Sequence, residues 1–416
     1  MPTDTAQSMS GRATPARENE TLIAVASAHL ISHFYMMVLP VLLPLLKERL
    51  NVSFLDLAFA LTLFSIVTGL TQAPMGFLVD KAGARPILAA GLFLGGFAFV
   101  SLALSTSYPW LLLVALLGGL ANSVYHPADY ALLTNRISEE RIGRAFSVHT
   151  FAGFLGGAAA PLALLTLADK GGLETALVCA GLLGPAAAIV VLLPRGAAAA
   201  GRDRTAQPAA DPSTKTTTKT LGHIVTPTVL ALTVFFTLLA LANSAIFSFS
   251  VVALIAAHEV SFAAANAALT AYLAATAAGV LLGGALADRI HRHGDAAAIG
   301  FGLSALAMLL VATLTLSTPA LILAMGVSGI IFGLVQPARD MLVRRAAPPG
   351  AAGRVFGIVS TGFNIGGIFG PLLFGWLMDR GEPRWVFGAA VIFMGLTALF
   401  GLLEDRRGRR RYPLDR

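Results

Sequence analysis

The chain is divided into long stretches that contain no Asp, Glu, Lys or Arg, and that pattern decides most of what it can become. Ten of them run 21–46, 57–79, 86–128, 145–168, 175–194, 220–258, 260–287, 296–338, 355–378 and 385–403. Crossing the hydrocarbon of a bilayer takes about 20 apolar residues in a helix, and a charge placed inside is costly. Two stretches, 86–128 and 296–338, hold 43 residues each, too many for one crossing. Both are interrupted midway, at Ser107-Tyr108-Pro109 and Ser317-Thr318-Pro319, where proline cannot continue a helix. Splitting them predicts an all-α membrane protein of twelve transmembrane helices.

Composition narrows the function classes. A soluble domain carries roughly 25% charged residues to solvate its surface, and this chain carries 12% with a mean hydropathy of +0.76. The net charge of +7 would suggest nucleic acid in a soluble protein. Here basic loops facing an anionic leaflet account for it, and no nucleic-acid partner is expected. Cys179 is the single cysteine, so neither a disulfide within the chain nor a thiolate metal cluster can form. The first twenty residues are polar and lack a cleavable apolar core, which leaves the first helix as its own insertion signal. With the N-terminus placed in the cytoplasm, outside loops hold only Lys47, Arg49, Lys170, Arg380 and Arg384 of the 29 basic residues. The positive-inside rule then puts both termini in the cytoplasm of a bacterium, the protein spanning its inner membrane.

The organisation is that of two related halves. Residues 195–226 are rich in Ala, Thr and charge, and read as a cytoplasmic linker too polar to fold. GRAFSVHTFAGFLGGAAAPL from Gly143 aligns without gaps to GRVFGIVSTGFNIGGIFGPL from Gly353, an offset of 210. The same offset pairs Pro127-Ala128 with Pro337-Ala338 and LADKG (167–171) with LMDRG (377–381). Nearer each half's start the offset is 208, pairing Val52-Ser53-Phe54 with Val260-Ser261-Phe262 and Asp80 with Asp288. The reading is a tail over 1–20, a six-helix bundle over 21–194, the linker over 195–226, a second bundle over 227–403 and a basic tail over 404–416. Duplicated bundles around a site at the bilayer midplane are a transporter architecture.

Between the second and third helices stands GFLVDKAGARP, from Gly76 to Pro86. It resembles the cytoplasmic loop signature of the major facilitator superfamily, G-x-L-x-D-(R/K)-x-G-(R/K), carried here by Gly76, Asp80, Lys81, Gly83 and Arg85. Its echo in the second half is Gly284, Asp288 and Arg289. Gly76 is expected to let helices approach closely, and Asp80 to accept hydrogen bonds from the opposing half during gating. A finer resemblance is to the fosmidomycin-resistance family within that superfamily. It rests on His29, Pro40, Pro44 and Lys47 in the first helix, Val124-Tyr125-His126-Pro127 in the fourth, and Gly143-Arg144 with Gly153 and Gly156 in the fifth. Members carry an acid four residues after the first-helix histidine, where this chain has His33. They tend to have Glu directly after the fourth-helix His-Pro, where this chain has Ala128 and then Asp129. The resemblance implies a proton-driven exporter of drugs or small polar compounds.

Polar residues at membrane depth gather on the helices that the resemblance places around the central cavity. They are His29, His33, Tyr35, Asn122, Tyr125, His126, His149, Asn243, Gln336 and Asn364. His29 and His33 share one face of a helix, as do Asn122 and His126. Polar side chains facing lipid cost several kcal/mol, so these stripes are expected to line a cavity or to fasten helices by hydrogen bonds. Asp129, Arg144, Arg339, Asp340 and Arg354 sit near the cytoplasmic ends and are expected to form salt bridges. Glycine runs in the fifth and eleventh helices are expected to smooth the seam between halves.

No acid lies within the charge-free interior of any span, which leaves histidine as the side chain able to change charge near neutrality. His29 and His33 are expected to share about one proton, with His33 first choice for coupling and His126 second. No phosphate-binding loop G-x-x-x-x-G-K-(S/T), HExxH or nucleophile elbow is present. No ATP, cofactor, metal or catalytic residue is therefore expected. The reading is a monomeric secondary transporter that exchanges a small molecule against protons. Uptake of a metabolite or organic anion, or a receptor without transport, are its alternatives.

Overall fold

The computed structural model describes residues 15–105, 107–193, 226–287, 289–290, 292–346 and 352–411. It is all helix: α1 (Pro15–Leu50), α2 (Phe54–Ala82), α3 (Ala84–Ala103), α4 (Tyr108–Arg136), α5 (Glu139–Leu192), α6 (Pro227–Ser244), a π-helical turn (Ala245–Phe249), α7 (Ser250–His258), α8 (Phe262–Ala287), α9 (His293–Thr313), α10 (Thr318–Ala346), α11 (Ala352–Asp379) and α12 (Arg384–Arg411). Among the described residues, 11 helices are long and apolar enough to cross a membrane. Twelve were expected, and the difference falls in α5, one element where the stretches 145–168 and 175–194 predicted two. Its 54 residues would run about 80 Å if straight, far beyond a bilayer. The helix breaks at Gly172, whose φ of +78° only glycine adopts without strain.

The sequence sets the other boundaries by recognisable chemistry. α2 opens with a capping box: Ser53 Oγ accepts from the Asp56 main-chain N–H at 3.0 Å, and Asp56 Oδ2 accepts from that of Ser53 at 3.0 Å. Gly83, at φ +91°, turns the chain from α2 into α3, so this signature glycine has a backbone reason for its place. Thr226, the last residue of the linker segment, caps α6 by accepting from Val229 N–H at 3.2 Å. The rest of 195–226 lies outside the described residues. α1 starts six residues before the charge-free stretch, because Glu18 is buried and paired. Its carboxylate accepts from Ser138 N–H at 3.0 Å and from Arg141 at 2.7 Å. Burial pushes the Glu18 carboxyl up, but those two partners hold it below the usual carboxylate range.

Helix packing repeats along the chain as the sequence does. α1 packs on α5 and α2 on α4; correspondingly α6 packs on α11 and α8 on α10, with α3 on α5 matched by α9 on α12. The halves meet along two seams, α2 against α11 and α5 against α8. The face carrying Pro15, Gly83 and the α8–α9 loop is called the near face below, and that carrying Asn51 and Gly381 the far face.

Candidate functional site

The interior of the first half holds four histidines and one acid. Asp129 on α4 is fully buried at 0% exposure, with His29 on α1 at 3% and His149 on α5 at 2%. Asp129 Oδ2 is hydrogen-bonded to His149 Nε2 at 3.1 Å and lies 3.2 Å from His29 Nδ1. The rings of His29 and His149 stack with centroids 3.6 Å apart. His33 stands 4.6 Å from His29, and His126 stands 5.2 Å from His29 and 6.4 Å from His33. Tyr130 closes the group, 5.8 Å from His126 and 5.6 Å from His149. Three helices thus converge on one carboxylate.

Local sequence explains the convergence. His29 and His33 lie one turn apart on α1, and His126 and Asp129 three residues apart on α4. Room for the α1 pair comes from Gly153 on α5, where a Cβ would stand 2.7 Å from His29 Nε2 and 3.0 Å from His33 Cδ2. A buried charge is tolerated only when paired. Asp129 Oδ2 has one hydrogen-bonded imidazole, His149, and a second, His29, within ion-pair distance, while its Oδ1 and the Nδ1 atoms of His29 and His126 are buried without a hydrogen-bond partner. The ligand atoms of His29, Asp129 and His149 lie within 4.8 Å of one another, a spacing that could hold a metal ion. The sequence offered no metal-binding motif, because this set is assembled from three separate helices. As it stands, the set is a carboxylate clasped by two histidines.

This corrects two expectations. The interior does contain an acid, and Asp129 makes its ion pairs with His29 and His149 inside the bundle instead of at a helix end. The charge-free criterion closes the fourth span at residue 128, but α4 continues to Arg136, so Asp129 falls inside. Arg144 is exposed, and no ion pair to it is found among the described residues. Arg339 and Asp340 do pair, at 2.7 Å, but as sequence neighbours, while the Arg339 guanidinium lies over Phe236 and Phe363 at 5.1 and 5.7 Å. Asp288 and the side chain of Arg354 lie outside the described residues.

Other polar residues serve elsewhere. Tyr35 donates to the Gly181 carbonyl at 3.0 Å and Tyr125 to that of Gly91 at 3.2 Å, so both point away from the histidines and fasten helices. Asn122 Nδ2 donates to Thr68 Oγ1 of α2 at 3.4 Å. In the second half Gln336 is buried, Asn243 is half-buried with its Oδ1 unpartnered, and Asn364 is exposed opposite Gly69. The histidine cluster has no counterpart there among the described residues.

The glycine runs serve the seam between halves only in part: Gly367 on α11 faces Ser65 of α2, where a Cβ would lie 3.4 Å from its Oγ. On α5, a Cβ at Gly156 would lie 2.0 Å from the Leu30 carbonyl of α1, and on α11 one at Gly362 would lie 2.5 Å from that of Thr233 on α6. These glycines tighten helix pairs inside each half. Contact between halves runs from the far face inward. Asp379 at the end of α11 accepts from the main-chain N–H groups of Phe54 and Leu55 at 2.8 Å each, and Thr62 Oγ1 donates to the Ile368 carbonyl at 2.9 Å. A Cβ at Gly375 would meet Ala58 at 2.6 Å, whereas at Gly76 and Gly357, nearer the other face, it would meet nothing within 4 Å. Gly76 therefore makes no close approach in this state. Asp80 and Lys81 near it are exposed, as is Arg289; Gly284, where a Cβ would meet nothing within 4 Å, and Arg85 are half-buried.

Repeated helix packing, two half-to-half seams and a buried titratable cluster between helices define a multi-pass membrane transporter. Comparison with known proteins agrees. The family model of the Major Facilitator Superfamily matches residues 25–256 and 234–415, and the chain belongs to that superfamily. It is similar to the Fosmidomycin resistance protein of Escherichia coli, 27% identical over 398 residues that make up 92% of each chain. Among solved structures, a bacterial homolog of the human lysosomal transporter Spinster, inward-facing and occupied, superposes with a TM-score of 0.76 at 16% identity, covering 94% of this chain and 98% of that one. The nucleoside transporter NupG gives 0.75 at 15% identity, covering 93% and 99%. These two likenesses speak for the fold.

Proposed function

We propose that the protein exports a small organic compound in exchange for protons by alternating access, and that the His29–Asp129–His149 cluster carries the proton. The carrying observation is the Asp129 carboxylate, fully buried, with imidazoles from two other helices on one of its oxygens. An antiporter needs an internal group whose charge changes as the site opens to one side and then the other. Asp129 faces His29 and His33 from α1, His126 and Tyr130 from α4 itself, and His149 from α5. Groups so close gain and lose protons as a unit, not as separate residues. His33, half-buried at the edge of the group, is the exchange point with water. Substrate contacts fall to Asn243, Gln336 and Asn364 in the second half.

In this reading there are twelve crossings, with α5 making two and α6, the π-helical turn and α7 making one, in two six-helix halves. The near face is cytoplasmic, the termini lie there, and the structure is the inward-open state with the outer end shut. Asp80 then acts when the near face closes. Export suits the likeness to a protein named for fosmidomycin resistance. The test uses everted membrane vesicles with an imposed pH gradient and fosmidomycin as the first compound offered. Wild-type vesicles are expected to release protons on its addition. Asp129→Asn and His33→Gln should abolish that signal while retaining exchange of labelled compound. Undiminished proton release in both variants would refute coupling through this cluster.

A further inference from the structure

Proton carriage leaves part of the Asp129 cluster unsatisfied. His29 Nδ1 lies 3.2 Å from Asp129 Oδ2 but lacks hydrogen-bond geometry to it, and is buried without a hydrogen-bond partner among the described residues. Asp129 Oδ1 and His126 Nδ1 are buried and unpartnered in the same way. Buried polar atoms are nearly always satisfied, so three orphans around one carboxylate point to a ligand. Spacing says which kind. Zinc holds imidazole nitrogen and carboxylate oxygen at about 2.0–2.2 Å in a tetrahedron, which sets neighbouring ligand atoms roughly 3.3 Å apart. Asp129 Oδ2 stands 3.2 Å from His29 Nδ1 and 3.1 Å from His149 Nε2, and all three atoms lie within 4.8 Å of one another. Charge and donor type agree. One carboxylate among imidazoles is net negative once its protons leave, which favours a cation. Nitrogen donors favour a borderline transition ion over Mg²⁺ or Ca²⁺, which take oxygen. A way in runs past Tyr130, which is 47% exposed and packs on both His126 and His149.

We propose that Asp129 Oδ2, His29 Nδ1 and His149 Nε2 bind a divalent transition-metal ion of the zinc class, with a water in the fourth position. An ion needs no linear N–H···O alignment, so it satisfies the His29 nitrogen that hydrogen bonding leaves orphaned. A metal-bound water donates hydrogen bonds, and Asp129 Oδ1 and His126 Nδ1 are the acceptors the cluster offers it. The His29 and His149 rings stack 23° from parallel, and a side-chain rotation that fans them apart aims both lone pairs at one ion. Imidazole takes a metal only through a deprotonated nitrogen, so ion and proton compete for one site. The inference rests on the cluster read above as the proton carrier and adds to it a ligand that ties α1, α4 and α5 together. Metal binding is read without substrate or gradient, so either claim can fail alone.

Isothermal titration calorimetry of the full chain in detergent, with any affinity tag removed, tests it with zinc chloride and magnesium chloride as the probes. One zinc per chain should bind, and magnesium should not. Asp129→Asn and His149→Gln should each weaken zinc about a hundredfold, since even a partner that only orients a ligand is worth about 10–100-fold. X-ray absorption at the zinc edge reads the wild type without any variant, and should show a four-coordinate ion with two imidazoles. Undiminished proton release in the vesicle assay would refute coupling and leave bound zinc standing, whereas absent zinc would overturn this site and leave coupling standing. No zinc binding, a six-coordinate ion, a first shell without imidazole, or an affinity unchanged in both variants would overturn the proposal.

Discussion

Asp379 is the charged group in the far-face closure, so Asp379→Ala should loosen it. The first N–H groups of a helix have no partner within the helix. In α2, Ser53 takes that of Asp56, and Asp379 from the other half takes those of Phe54 and Leu55 at 2.8 Å each. Losing a cap of this kind costs about 1 kcal/mol, and an anion at a helix N-terminus adds about 0.5 kcal/mol at an exposed site. Asp379 is exposed, so the larger values for buried charged hydrogen bonds do not apply. About 1.5 kcal/mol corresponds to roughly a tenfold shift in the ratio of closed to open far face. Spin labels at Glu48 and Glu382, in a Cys179→Ser background, would report that ratio as a distance distribution by electron–electron resonance. The repeat counterpart Asp169 serves as control, because Ser261, not Asp169, caps the start of α8. The expected result is a longer-distance population in Asp379→Ala and little change in Asp169→Ala. Identical distributions in Asp379→Ala and wild type would refute the latch.

Three further outcomes follow from packing and charge. Gly156→Val should destabilise the protein by about 1–3 kcal/mol or more, because its Cβ would press on a main-chain oxygen that cannot swing away. Gly157→Val, where nothing lies within 4 Å, should melt like wild type; equal loss in both would show that the α1–α5 contact is not the cause. Glu18 is held below its ordinary range, so its contribution is present at neutral pH and lost as pH falls through that range. Glu18→Gln should therefore lower the melting temperature at pH 7 and flatten its acid dependence, and a parallel drop at all pH values would contradict this. Deleting about ten residues between Ala197 and Thr218 should leave transport near normal, since loop closure depends weakly on length; lost flux with normal insertion would give the linker another role.

Much of the fold could be read from charge-free stretches, since bilayer thickness fixes helix length and charges mark the ends. The same rule concealed Asp129. It treats the first acid as a boundary, whereas a helix can carry an acid inward when other helices bring it partners. His29 and His33 were visible as an i, i+4 pair, but His149, twenty residues beyond Asp129, joins them only through the packing of α5 on α1. The signal that was available is the four-residue cycle of polar positions on α4, Asn122 and His126, which Asp129 nearly continues. Tyr35 and Tyr125 took the second of the two uses left open for polar side chains at membrane depth, because depth alone does not reveal which neighbour a side chain meets. The glycine runs were assigned to the seam between halves because composition shows that helices approach closely without showing which ones.

The central claim is that Asp129 and its histidines bind and release the coupled proton. Difference infrared spectroscopy of the protein in lipid, taken across an acid-to-alkaline pH step, reads this without a substrate, through the carboxylic-acid C=O stretch. One buried carboxyl band is expected to respond to the step, to vanish in Asp129→Asn and to be altered in His149→Gln. A spectrum in which Asp129→Asn removes no titrating band would contradict it.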